Sequence, residues 1–219
     1  DVEGIFTADP RIIDSAKLID EITYDEMLEM SSSGAGVLMA RSVEFGRRYN
    51  VPIIVKSTFT NNKGTVVKEK TMEEAIVSGV THNDKEVKFT LFGVPDQPGI
   101  AGTVFGSLSE IGTNVDMIVQ NVSKESITDI SFTAPSEQQK DVEDALKNIS
   151  KQLDAKGYDI DENIARISII GAGMKSESGV ASKMFKTLGD NKINISMIST
   201  SPIRVSCVIS NNDIENALN

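Results

Sequence analysis

The residues of this 219-residue chain best placed to do chemistry are Asp96-Gln97-Pro98-Gly99. Asp96 is an N-cap candidate with proline shortly behind it, the expected opening of a helix. Free backbone N–H groups and the positive dipole end make such a turn a receptor for an anion. Gly99 would let the backbone come close, and Ala101 would keep the wall small. Across the cleft, Asn114-Val-Asp-Met-Ile-Val-Gln-Asn121 offers amide and carboxylate groups suited to an ammonium. The alternative is an ordinary N-cap on a surface helix.

Little else reads as catalytic. Ser31-Ser-Ser-Gly-Ala-Gly36 resembles a phosphate-cradling loop in composition but lacks the Lys and Ser/Thr of a P-loop, so it reads as a helix–helix turn. The single histidine, His82, lies in Thr-His-Asn-Asp, a turn between strands, and is expected to be exposed. The single cysteine, Cys207, falls on an apolar strand and is expected to be buried. One cysteine excludes an intramolecular disulfide, and one histidine argues against a His/Cys metal site. Twenty-two basic against 32 acidic residues give a net charge of −10, which argues against nucleic acid as the main partner. No apolar run reaches the roughly 18 residues of a membrane helix, and no basic-then-apolar leader opens the chain, so the expected setting is cytoplasmic.

The elements that must position these residues occur twice. At an offset of 80 residues, Gly99 meets Gly179, Phe105 meets Phe185, Leu108 meets Leu188, Asn114 meets Asn194 and Met117 meets Met197. A gapless match at glycine, apolar and asparagine positions marks an internal repeat. In the first copy Val87, Phe89 and Leu91 alternate as a strand, and Val104, Leu108 and Ile111 form one helical face ended by Gly112. Strands 115–122 and 127–133 follow, Pro135 breaks, and Val142, Leu146, Ile149 and Leu153 mark a second helix ending near Gly157. The order β-α-β-β-α-β is a ferredoxin-like split unit. The second copy runs from Ile164–Ile170 through a helix at 178–190, strands near 193–199 and 203–209, and the beginning of a helix at Asp213.

Residues 1–70 show no repeat. A helix carrying Leu18, Ile22, Met27 and Met30 leads to the Ser31 turn, a second helix spans Val37–Tyr49, Val51–Val55 is a strand, and 58–70 is a polar loop. The expected architecture is α+β: a segment at 1–65, a linker and leading strand at 66–82, and two ferredoxin-like units at 83–160 and 161–219, the last cut short at its C-terminal end.

Several stretches resemble aspartokinase, the enzyme family that phosphorylates the side-chain carboxylate of aspartate. Gly4-Ile-Phe-Thr-Ala-Asp-Pro-Arg11 resembles the family's GxYTADPR element on the nucleotide side. Ile22 to Glu29, Gly34-Ala-Gly-Val-Leu38, Arg41-Ser-Val-Glu and Asn50-Val-Pro-Ile continue the likeness. The repeat is similar to the family's paired ACT regulatory domains, with Gln120-Asn121, Gly171-Ala-Gly-Met-Lys175 and Ile198-Ser-Thr-Ser201 in the family's order. The chain departs from the pattern at Phe6 (usually Tyr), Gly36 (usually Lys), Met39-Ala40 (usually His-Pro) and Pro202 (usually Glu). The family's amino-terminal KxGGTS motif is absent, which marks the chain as a C-terminal part that alone should not phosphorylate aspartate.

The resemblance implies a partial amino-acid-kinase segment followed by tandem ACT domains. It implies ATP, with Mg in the parent enzyme, contacted by Asp1, Phe6, Arg11, Gly36 and Val37. No catalytic residue and no tightly bound cofactor are expected in this chain. Arg11 would pair with phosphate in two-point fashion, or else be a solvated arginine. Asp96, Gly99, Ala101, Asn114, Val115, Asp116, Gln120 and Asn121 are implied to bind an amino-acid effector, threonine or lysine. Asn194, Ile195 and Ser201 would complete a partner pocket, or else pack an interface between the ACT copies. Implied partners are a second copy docked through the ACT domains and a separate catalytic chain. Met27 and Met30 would pack a helix face or serve as starts of a small subunit. A regulatory subunit without kinase activity and a ligand-free structural dimer are the competing readings, and residues 1–26, ahead of either methionine, favour the kinase part.

Overall fold

The computed structural model describes residues 2–71, 75–122 and 126–219, which divide into two compact units, 84–165 and 1–83 with 166–219.

The first repeat makes up the unit at 84–165. Strand β5 (Glu86–Pro95) leads to α3 (Ile100–Glu110), β6 (Asp116–Val122), β7 (Ile127–Pro135), α4 (Gln139–Gln152) and β8 (Gly157–Asp161). The sheet order is β6-β7-β5-β8, all antiparallel. Alternation on β5 and β7 turns Phe89, Leu91, Ile130 and Phe132 inward against Val104, Leu108, Val142 and Leu146 of the helices. Phe89 stacks on Phe132 with ring centroids 5.4 Å apart, and Phe105 meets Phe132 edge-on at 5.7 Å. The strand and helix pattern read from the sequence is therefore the one observed here.

In the other unit the second repeat follows the same plan with one substitution of parts. Strand β9 (Ile164–Ile170), α5 (Val180–Asp190), β10 (Met197–Ser201) and β11 (Arg204–Ser210) reproduce the first four elements of the copy, and α6 (Ile214–Leu218) is a short last helix. The sheet is β10-β11-β9-β4, where β4 (Gly79–Asn83) comes from upstream of both repeats. It lies antiparallel to β9, from Gly79 beside Ile170 to Asn83 beside Arg166. Thus β4 stands where β8 stands in the first sheet. Residues 79–82, within the stretch 66–82 expected to be linker and leading strand, close the sheet of the second repeat together with Asn83.

The amino-terminal segment has its own three-stranded sheet. Strand β3 (Thr65–Lys68) lies between β1 (Glu21–Thr23), to which it is parallel, and β2 (Ile53–Val55), to which it is antiparallel. Residues 65–68 are thus not loop: Val67 is wholly buried, and Thr65 Oγ1 accepts from Ile5 N–H at 2.8 Å and donates to Ile19 O at 2.6 Å. The first helix also starts later than its apolar spacing suggests. Leu18 bridges to Phe6 and Ile22 lies in β1, whereas α1 spans Tyr24–Ser32. Thr23-Tyr-Asp-Glu26 is a capping box, each end of it satisfying an orphan backbone donor of the other, and this fixes the start at Tyr24. Met27 and Met30 are buried on the inner face of α1. Helix α2 (Ala40–Tyr49) ends on Asn50 in the left-handed conformation, φ 51°.

Glu26 joins this segment to the second repeat. Its Oε2 accepts from Thr23 N–H (3.1 Å) and Thr23 Oγ1 (2.7 Å), and its Oε1 from Ser78 Oγ (2.5 Å) and Ala172 N–H (2.9 Å). Burial pushes this carboxyl up, but the donors from Ser78, Thr23 and Ala172 outweigh it and hold the group below its ordinary value of 4.5. Two arginines of the second repeat grip the other end of α1. The buried Arg166 donates to Ser32 O at 3.1 Å, and Arg204 pairs with Glu29 at 3.2 Å. Cations at a helix C-terminus also complement its dipole.

Candidate functional site

A cavity of about 620 Å³ opens in the amino-terminal segment. The stretch Val2–Arg11 forms one wall, with Phe6 held by its bridge to Leu18. The turn between α1 and α2 forms a second, with Gly34, Ala35, Gly36 and Val37. Gly34 sits at φ +111°, and a Cβ there would fall 2.0 Å from His82 O, so the turn is seated directly on β4. Val80, Thr81 and His82 of β4 form the third wall, tied to the first by the Val80 N–H to Thr7 O bond of 2.8 Å.

Four of the five residues expected to contact nucleotide, Phe6, Arg11, Gly36 and Val37, line this one cavity. Asp1, the fifth, lies outside the described residues. Arg11 is gripped by Asp9, with Nε–Oδ1 3.0 Å and Nη2–Oδ2 2.7 Å, and its own N–H bonds Asp9 Oδ1 at 2.9 Å. The Arg11 guanidinium holds the Asp9 carboxyl below its usual range. Apolar Phe6, Val37 and Met30 with one forked cation suit a group that is planar and apolar at one end and anionic at the other. The residues present fit a nucleotide.

The wall from β4 was missed by sequence reading. His82 is not an exposed turn residue: it lies in a strand, half-buried, and lines the cavity. Its neighbour Thr81 is buried, and its hydroxyl has no hydrogen-bond partner. The one available signal was the β-branched pair Val80-Thr81.

The expected effector residues are spread along the outer edge of the first repeat's sheet. Asp96 is not the N-cap of α3. That position belongs to Gly99, at φ +96°, with no side-chain cap; of the first turn, Ile100 N–H donates to Gln97 O at 3.3 Å. In the second repeat Gly179, at φ +88°, likewise opens α5. Asp96, Gly99, Ala101, Asn114, Gln120 and Asn121 are exposed, while Val115 packs on the core and Asp116 is half-buried. On edge strand β6, Asp116 faces Thr133 and Gln120 faces Ile130 of β7. Three steps along a strand are about 10 Å, so these two groups do not converge on one small molecule within this sheet. Asp116 Oδ1 accepts from Met117 N–H at 2.8 Å, where a bulge puts Met117 at φ 46°.

In the other unit, Asn194 is exposed and Ile195 half-buried just ahead of β10, matching Asn114 and Val115 ahead of β6. Ser201 is occupied otherwise: its hydroxyl donates to Glu29 Oε1 on α1 at 3.1 Å. Cys207 is fully buried, which pushes its thiol up to about 11. Among the described residues no cluster of His, Cys, Asp and Glu could hold a metal ion, and no helix is long and apolar enough to cross a membrane.

Fold and cavity together define a protein in which an α/β segment with its own three-stranded sheet and cavity is joined to a pair of ferredoxin-like units. Residues 1–57 match the amino acid kinase family, and residues 88–154 and 167–219 each match the ACT domain. The chain is 45% identical over 221 aligned positions to an aspartate kinase of Pseudomonas fluorescens, covering 100% of this chain and 54% of that protein. It is also similar to the solved regulatory subunit of aspartate kinase from Thermus thermophilus: 35% identity, TM-score 0.63, 66% of this chain and 95% of that one. Aspartokinase III of E. coli, solved with aspartate and ADP, matches all of this chain with 49% of its own, at 26% identity and TM-score 0.85. The same enzyme solved with lysine and aspartate matches with TM-score 0.76 at 25% identity, again over 100% of this chain and 48% of that one. The chain belongs to the aspartokinase family, and it spans about half the length of the curated relatives it matches.

Proposed function

We propose that this chain is the nucleotide-side and regulatory part of an aspartate kinase, which transfers the terminal phosphoryl group of ATP, with Mg, to the side chain of aspartate. The observation that carries the reading is the meeting of Phe6, Arg11, Gly36 and Val37, from two separated stretches, in one cavity. Phe6 and Val37 flank the base, and the Arg11–Asp9 pair stands at the phosphate end. The complex of E. coli aspartokinase III with ADP supports a nucleotide in this class of fold.

The two repeats act as ACT domains, the first from 84–165 and the second from β4 together with 164–219. They bind an amino-acid effector, threonine or lysine, at the helix openings of Gly99 and Gly179 and along the edges near Gln120 and Asn194. Because Asp116 and Gln120 lie apart on one edge, a single ligand needs a second surface. That supports a homodimer formed through the ACT domains, in which a neighbouring copy completes the pocket. The setting is cytoplasmic.

A stand-alone regulatory subunit, paired with a separate catalytic chain, is the second reading. The likeness to the Thermus thermophilus regulatory subunit favours it. The cavity in the segment that matches the amino acid kinase family favours the first.

Calorimetric titration tests both halves. MgATP is expected to bind and to lose affinity in Phe6→Ala. Threonine or lysine is expected to bind and to lose affinity in Gln120→Ala. Effector heat without nucleotide heat would leave the regulatory-subunit reading, and silence with every ligand would remove both.

A further inference from the structure

We propose that His82, on strand β4 of the second repeat's sheet, is a phosphate-binding residue of the cavity; the inference rests on the nucleotide reading of that cavity. The charge balance of the lining carries it. Among the described residues its ionisable side chains are Glu3, Asp9, Arg11 and His82. Arg11 is already committed to Asp9 through two side-chain bonds, 3.0 and 2.7 Å long. A phosphate chain entering here meets two carboxylates, one neutralised guanidinium and one imidazole. Of that set, the imidazole of His82 is the donor that Asp9 does not hold, and its N–H can donate to a phosphate oxygen.

Geometry supports the assignment. His82 O lies against Gly34, where a Cβ would fall 2.0 Å away, so the strand and the turn are fixed to each other. Gly36, further along the turn, has no atom within 4 Å of the Cβ it lacks, which leaves room on its side of the cavity for a ligand. On the strand side, Val80 N–H bonds Thr7 O, so β4 is braced against the Phe6 to Arg11 stretch as well. His82 is therefore carried on a rigid support beside an open space, with a ring that donates from one nitrogen when neutral and from two when protonated.

As the chain's single histidine, His82 gives imidazole carbon–proton signals that overlap with no other. In NMR titrations of the chain, MgATP and tripolyphosphate are expected to move those signals to saturation. Adenosine is expected to bind and leave them in place. By calorimetry, His82→Ala is expected to weaken MgATP about tenfold and adenosine less than twofold, and His82→Lys to recover most of the loss. His82→Gln, which keeps a polar side chain of similar reach, is expected to fall between them and serves if the alanine variant loses its fold. Should MgATP bind the unaltered chain and weaken in Phe6→Ala while His82→Ala and His82→Gln bind it unchanged, His82 is not a ligand and the nucleotide reading stands. Failure of the unaltered chain to bind either MgATP or adenosine overturns both.

Discussion

Replacing Glu26 tests how the amino-terminal segment is held to the second repeat. Its carboxylate accepts from two hydroxyls, which can turn to other partners, and from two backbone N–H groups, of Thr23 and Ala172, which cannot. In Glu26→Ala both N–H groups are stranded in a buried site, at about 2 kcal/mol each, so the expected loss is about 4 kcal/mol. In Glu26→Gln the amide oxygen can keep Ala172 and Ser78, while its NH₂ faces the Thr23 N–H; one stranded donor costs about 2 kcal/mol. Against a usual stability of about 5–15 kcal/mol, either is readable in urea unfolding followed by circular dichroism. The pH dependence has a definite sign. A carboxyl held below its ordinary 4.5 in the folded state adds stability above that value, and the gain is lost as pH falls through the folded-state value. Glutamine does not titrate. The gap between the unaltered chain and Glu26→Gln is therefore expected to be widest near neutral pH and to narrow below 4.5. Equal stability at pH 7, or a gap that stays constant into acid, would refute the assignment of a charged, donor-satisfied carboxylate.

Two glycines should respond to alanine for different reasons. At Gly171 a Cβ would meet Ile76 O at 2.2 Å and Val77 Cα at 2.7 Å, backbone atoms that cannot step aside, so a loss of about 3 kcal/mol is expected in urea unfolding. At Gly99 nothing lies within 4 Å, and only the φ of +96° is strained, so about 1–2 kcal/mol is expected. Glu29 and Arg204, with side chains 24% and 14% exposed, should show a coupling of about 1–2 kcal/mol in a double-mutant stability cycle. A fragment of residues 84–219 should keep the first repeat's amide-exchange protection but lose that of β9 to β11, and a fragment beginning at residue 76 should recover it. Protection in the shorter fragment would mean that β4 is dispensable.

Much of the fold was legible because Phe89 to Leu91 and the helix faces follow from spacing within about ten residues, and the Gly99/Gly179 match repeats that local pattern without a gap. The exceptions share a cause. Leu18 and Ile22 carry helical spacing, yet the Thr23–Glu26 capping box decides where α1 starts and leaves them to a bridge and a strand. Residues 65–68 look polar by their neighbours, and only pairing with β2 and β1, which come 10 to 14 and 45 residues earlier, makes them the central strand. Asp96 has the right residue type for an N-cap, but the left-handed Gly99 takes the position. The hydroxyl of Ser201, expected from the resemblance to meet a ligand, donates to Glu29, which lies 172 residues earlier. Short-range pattern cannot express competition of that kind.

Strand β4 shows what such long-range pairing does for function. Periodicity alone assigns 79–83 to whatever follows it, since sequence neighbours usually pair. The edge of β9 takes it instead, in antiparallel register from Gly79 beside Ile170 to Asn83 beside Arg166. One strand thereby serves two structures: five of its residues pair with β9, and three of them wall the cavity. A shift of the second repeat's sheet relative to the amino-terminal segment cannot leave Thr81 and His82 in place against Phe6 and Arg11. It must also break or carry along the Glu26, Glu29 and Arg166 bonds that tie α1 to that sheet. On the proposed reading, an effector that favours one arrangement of the sheet would alter nucleotide affinity by at most the ratio of its own affinities for the two arrangements, and nucleotide would alter effector affinity by the same factor.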